Sequence, residues 1–125
     1  MNKNLISVIG SGTMGNGIAH VFATCPKIET VVLVDLSDEI LKNAKEIIKK
    51  NLDRQVKKEI ISQDKSDESL GKIVFTTDFK KVKESGLVIE AVKEDVVIKK
   101  NIFKKLDSIV SKDTIMATNT SSISI

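Results

Sequence analysis

The sequence predicts a doubly wound α/β domain on a mostly parallel sheet. Short β-branched apolar runs recur along the chain, stretches with apolar residues every three or four positions lie between them, and glycines cluster where the first run gives way to the first such stretch. Strands that are apolar on both faces need helices on both sides, and their alternation with helices implies right-handed crossovers. With 125 residues and 41% apolar content, the chain reads as one domain spanning residues 1–125.

The elements follow in order. "LISVI" at residues 5–9 is the first buried strand. Met14, Ile18, Val21, Phe22 and Cys25 then share one face of a helix, which Pro26 stops. "TVVLVD" at residues 30–35 is the second strand. A long helix follows, capped by Ser37, with Asp38 and Glu39 in its first turn and Ile40, Ala44, Ile47, Ile48, Leu52, Val56 and Ile60 at helical period. Polar "QDKSDES" at 63–69 breaks the period and predicts a loop. "KIVFTT" and "LVIEAV" are the third and fourth strands, with a short helix between them that Gly86 ends. Ile98, Ile102, Phe103, Leu106 and Ile109 mark a further amphipathic helix, and "TIMAT" the fifth strand.

Composition narrows the function classes. A net charge of +3 is a mild excess that fits a well-solvated surface. Aromatic content of 3%, without Trp or Tyr, gives little for stacking on bases, so a nucleic-acid partner is not expected. No apolar stretch has the length of a membrane span or a secretory leader, and the single cysteine, Cys25, fits a packed residue in a reducing, cytoplasmic compartment. No metal ligand set is expected.

The glycines carry the chemistry. Gly10, Gly12 and Gly15 satisfy G-x-G-x-x-G between a predicted strand and a predicted helix. Gly10 supplies the tight turn, Gly12 lets a pyrophosphate approach the backbone, and Gly15 allows close packing of helix on strand. The N–H groups at the helix start, around Thr13 and Met14, then face the anion with the positive end of the helix dipole behind them, and Ser11 in the same turn is expected among the cofactor contacts. Gly17 lies outside this pattern and is expected to serve helix packing. The second strand ends in Asp35, 25 residues after Gly10, where a carboxylate can accept from the ribose hydroxyls. That carboxylate repels a 2′-phosphate, and Leu36 and Ser37 bring no arginine to receive one. The expected cofactor is NAD.

"VIGSGTMGNGIA", "VVLVD", "LVIEAVKED", "KKNIFKKLDSIV" and "ATNTSSISI", in that order, resemble the amino-terminal Rossmann-type NAD-binding domain of the 3-hydroxyacyl-CoA dehydrogenases. The resemblance covers essentially the whole chain and implies interconversion of (S)-3-hydroxyacyl-CoA and 3-ketoacyl-CoA by hydride transfer. It implies that Glu94 and Lys99 lie near the nicotinamide-side ribose and pyrophosphate, that Asn119 and Ser121 stand beside the nicotinamide and the substrate, and that Asn51 and Lys58 meet coenzyme A. It also implies a catalytic histidine and a helical domain beyond residue 125, and a homo-oligomer for the intact enzyme. His20, inside the first helix, is read as a surface or satisfied histidine. An exposed apolar edge is expected near residues 121–125. Two other readings stay open: another β-hydroxyacid dehydrogenase, and a non-catalytic dinucleotide-binding module.

Overall fold

A computed structural model describes residues 2–91, 101, 104–106, 108–110 and 113–118. All five expected strands are present: β1 (Asn2–Ile9), β2 (Thr30–Val34), β3 (Ile73–Thr76), β4 (Ser85–Glu90) and β5 (Ile115–Thr118). They form one parallel sheet in the order β3-β2-β1-β4-β5. From β1 the chain steps to β2 on one side, whereas β4 occupies the other. The switch point between β1 and β4 opens a crevice at the carboxyl ends of the strands, where α/β sheets place their ligands.

Successive residues of β1 point to opposite faces, and both are buried. Val8 packs with Val31, Leu33, Ala19, Ala44 and Ile48 on the face covered by α1 (Thr13–Ala23) and α2 (Asp38–Lys57). Ile9 packs with Val34, Phe79, Val82, Val88 and Leu106 on the other. This two-sided burial is why the strands read as continuous apolar runs. Ser37 caps α2 as expected, its hydroxyl accepting from the Ile40 N–H at 3.2 Å. The buried stripe of that helix is Leu41, Ala44, Ile48 and Leu52, so Ile40, Ile47 and Ile60, expected inward, are exposed.

The structure corrects further local expectations. The polar segment from residue 63 is a helix, α3 (Gln63–Gly71), instead of a loop. The Ser62 hydroxyl accepts from the Lys65 N–H at 3.1 Å, and Ser66 and Ser69 are the buried residues, so the helix has no apolar period to read. In α1 the buried face is Gly15, Asn16, Ala19 and Ala23, whereas Met14 and Val21 are exposed and Ile18 and Phe22 only flank the core. The helix lies close to the sheet, with Gly15, Ala19 and Ala23 beneath it. A Cβ at Gly17 would meet nothing within 4 Å, so packing does not require glycine there. Cys25 lies beyond the end of α1, half-buried in the turn that holds Pro26.

The link to β4 is a single 3-10 turn (Phe79–Val82) capped by Asp78, whose carboxylate accepts from the Lys80 N–H at 3.0 Å; Gly86 already belongs to β4. Beyond β4 the chain is helical at Asn101 and over 104–106, with Leu106 buried. The other expected positions of that helix at Ile98, Ile102 and Phe103, and the edge at 121–125, lie outside the described residues. Among the described residues, no helix is long and apolar enough to cross a membrane.

Candidate functional site

Each of the three glycines has its own physical reason. Gly10 takes φ 99°, a left-handed conformation that favours glycine, and its N–H donates to the Val34 carbonyl at 2.7 Å. At Gly15 a Cβ would lie 1.8 Å from the Gly10 carbonyl oxygen, an impossible overlap that ties helix to strand. A Cβ at Gly12 would meet nothing within 4 Å. Protein packing therefore does not demand glycine there, and the bare backbone faces open space.

Gly12 is also the N-cap of α1, without a side-chain cap and with no acidic residue in the first turn. Its carbonyl accepts from the Asn16 N–H at 2.9 Å, the first bond of the helix. Helix geometry leaves the N–H groups of Thr13, Met14 and Gly15 without intrahelical acceptors, so the positive end of α1 is open to an anion.

Asp35 follows β2 directly, and the Ser11 side chain reaches it. Its Oδ2 accepts from the Ser11 N–H at 2.7 Å and from the Ser11 hydroxyl at 2.6 Å, and its Oδ1 accepts from the Leu36 N–H at 2.7 Å. A carboxylate has about four acceptor sites, so capacity remains toward solvent. Ser11, 4% exposed, thus acts as a staple between the glycine turn and the end of β2. The glycine pattern places Ser11 among the cofactor contacts but hides this partnership, because the two residues lie 24 positions apart.

The fold brings Gly10, Ser11, Gly12, Thr13, Met14, Gly15 and Asp35 to one corner. Asn51 and Lys58 are elsewhere. Asn51 is half-buried about 20 Å along α2 from its start, and exposed Lys58 forms the far end of the same helix. The same helix carries a groove lined by Lys50, Asp53, Arg54, Val56 and Lys57 together with Gln63, and neither Asn51 nor Lys58 lines it. His20, on α1, exchanges a 3.1 Å hydrogen bond with Gln55 of α2, a helix-to-helix contact. Glu94, Lys99, Asn119 and Ser121 lie outside the described residues. Two buried polar residues near the corner carry no signal in the sequence: Asn16, whose Oδ1 has no partner, and Glu90 at the end of β4.

Known proteins share this sequence and arrangement. Residues 5–125 match the family described as 3-hydroxyacyl-CoA dehydrogenase, NAD binding domain. The 3-hydroxybutyryl-CoA dehydrogenase of Clostridioides difficile is 41% identical over 120 residues, which is 96% of this chain and 42% of that protein. The mitochondrial hydroxyacyl-coenzyme A dehydrogenase of Sus scrofa is 39% identical over 126 residues, covering 96% of this chain and 40% of that protein. Among solved structures, (S)-3-hydroxybutyryl-CoA dehydrogenase from Ralstonia eutropha superposes with a TM-score of 0.92 at 37% identity, over 99% of this chain and 43% of that one. This chain therefore spans about 42% of the length of such relatives. The glycine turn, the acid after β2 and the strand order are what a dinucleotide site of this kind requires, and with a match over residues 5–125 the chain belongs to the NAD-binding domain family of the 3-hydroxyacyl-CoA dehydrogenases.

Proposed function

We propose that this chain is the cofactor-holding part of an NAD-dependent oxidoreductase that interconverts (S)-3-hydroxyacyl-CoA and 3-ketoacyl-CoA, in fatty acid or butanoate metabolism. The observation that carries the reading is the uncapped start of α1 at Gly12, beside a carboxylate held in place at Asp35. The N–H groups of Thr13 and Met14 receive the pyrophosphate, and Gly12 leaves room for it. Asp35 accepts from the adenosine ribose, while Ser11 fixes its rotamer. Bound nicotinamide supplies the hydride acceptor.

Beyond β4 and β5, Glu94 and Lys99 hold the nicotinamide-side ribose and pyrophosphate, and Asn119 and Ser121 orient ring and substrate at the carboxyl ends of the strands. Asn51 and Lys58, on the helix whose groove is lined by Lys50, Asp53, Arg54 and Lys57, meet the anionic nucleotide end of coenzyme A. The base that takes the hydroxyl proton is assigned to the portion of the relatives that this chain does not span. The whole enzyme is proposed to be a cytoplasmic homo-oligomer, on the same resemblance.

Cofactor choice provides the test. Asp35 repels a 2′-phosphate, and its neighbour Leu36 offers no charge to offset that. NADH should bind this chain at least about tenfold more tightly than NADPH, a difference near 1.4 kcal/mol, as read by fluorescence titration. Equal affinity for the two would remove the assignment of Asp35 to the ribose.

A further inference from the structure

Asp35 stands half-buried directly after β2, and the protein itself uses most of its accepting capacity. Two donors converge on Oδ2: the Ser11 N–H at 2.7 Å and the Ser11 hydroxyl at 2.6 Å. Oδ1 takes one, the Leu36 N–H at 2.7 Å. An ionised carboxylate offers about four acceptor positions, shared equally between its oxygens. Among the described residues these donors therefore fill Oδ2 and leave one position on Oδ1.

The donors differ in kind. Both N–H groups belong to the main chain, so almost any residue at positions 11 and 36 supplies them. The hydroxyl depends on the side chain at position 11, and a residue without one would leave a position on Oδ2 open. Ser11 is 4% exposed and its only hydroxyl proton is spent on Asp35, so it offers a ligand no donor of its own. The ribose of an adenine nucleotide carries two neighbouring hydroxyls. A carboxylate with a position open on each oxygen can accept from both; Asp35 as held here can accept from one. In dinucleotide sites the acid after the second strand meets the 2′-hydroxyl.

We propose that Ser11 is a specificity-determining residue: by filling Oδ2 of Asp35, its hydroxyl confines the carboxylate to the 2′-hydroxyl of the adenosine ribose and leaves the 3′-hydroxyl without an acceptor there. The inference rests on the dinucleotide reading above and deepens it, from a contact with the ribose to a contact with one of its hydroxyls.

The test is a calorimetric titration of ADP, 2′-deoxy-ADP and 3′-deoxy-ADP against the full chain with Ser11 intact, with Ser11→Ala and with Ser11→Gly. The intact chain should bind 2′-deoxy-ADP about tenfold more weakly than ADP, and 3′-deoxy-ADP within about twofold of it. Both variants keep the N–H and open a position on Oδ2. In each, 3′-deoxy-ADP should fall about fivefold below ADP while the 2′ penalty persists. A general loosening of the turn weakens all three ligands alike and leaves these ratios unmoved. Ratios in both variants equal to those of the intact chain would overturn the inference. A tenfold 3′ penalty in the intact chain, or no 2′ penalty there, overturns it as well. Should the intact chain bind no ADP, the dinucleotide reading itself fails and takes the inference with it, an outcome distinct from any of these.

Discussion

α1 and α2 both begin at the carboxyl edge of the sheet, one directly after β1 and the other directly after β2, yet their first turns are built in opposite ways. At α2 the Ser37 hydroxyl accepts from the Ile40 N–H, and Asp38 and Glu39 complement the dipole. At α1 the N-cap is Gly12, with neither side-chain cap nor acid. A cap contributes about 1 kcal/mol, so a helix start that forgoes it leaves its N–H groups for another partner. The closed start repels an anion and the open one attracts it. Asp35 and Ser11 lie between the two and are bonded to each other.

Substitutions can break that contrast. The largest effect is expected from Gly15→Ala. The new Cβ would overlap the Gly10 carbonyl, a backbone atom that cannot yield cheaply, and the fold should lose about 3 kcal/mol with NADH binding abolished. Thermal denaturation and NADH titration read the two consequences; a stable, binding-competent variant would contradict the helix–strand contact.

Gly12→Asp converts the open start into a closed one. Gly12 has φ −70° and ψ −171°, an extended conformation open to any residue, so the aspartate can cap α1 without strain. Stability should rise by about 0.5 kcal/mol while NADH affinity drops about a hundredfold, because a carboxylate then occupies the place of the pyrophosphate. Opposite signs in the two measurements are the signature; parallel changes would undo the comparison.

Asp35→Ala should weaken NADH about tenfold. It should also cost about 2 kcal/mol of stability, because the N–H and hydroxyl of Ser11 lose their acceptor. Urea denaturation measures the second quantity. Ser37→Ala, at the closed helix start, is the smallest: about 1 kcal/mol of stability and no change in NADH affinity. A loss of affinity there would mean that both helix starts serve the ligand.

The strands are legible in the sequence because each is apolar on both faces, and α2 because its cap and first-turn acids follow helix-start chemistry. α3 is not, since Ser66 and Ser69 are its buried residues and a serine stripe gives no hydrophobic period. The inward face of α1 is hidden for a related reason. Its large apolar residues look like a core stripe, but the glycine turn draws the helix down until Gly15, Ala19 and Ala23 touch the sheet, leaving Val21 65% exposed. At the site, the tight turn at Gly10 and the close helix–strand approach at Gly15 follow from the glycine spacing, which also marks Gly12 and Asp35 as members of the same corner. Ser11 as the partner of Asp35, and Glu90 as a buried carboxylate, depend on which strands become neighbours, and no local pattern encodes that.

The most direct measurement is a map of backbone amide chemical shifts in the labelled chain as ADP is added. If the open start of α1 holds the pyrophosphate, the largest changes fall on the amides of Gly12, Thr13 and Met14, with smaller ones at Asp35 and Leu36. Changes centred on Asp38 to Ile40 at the start of α2, with Thr13 and Met14 unmoved, would contradict the account.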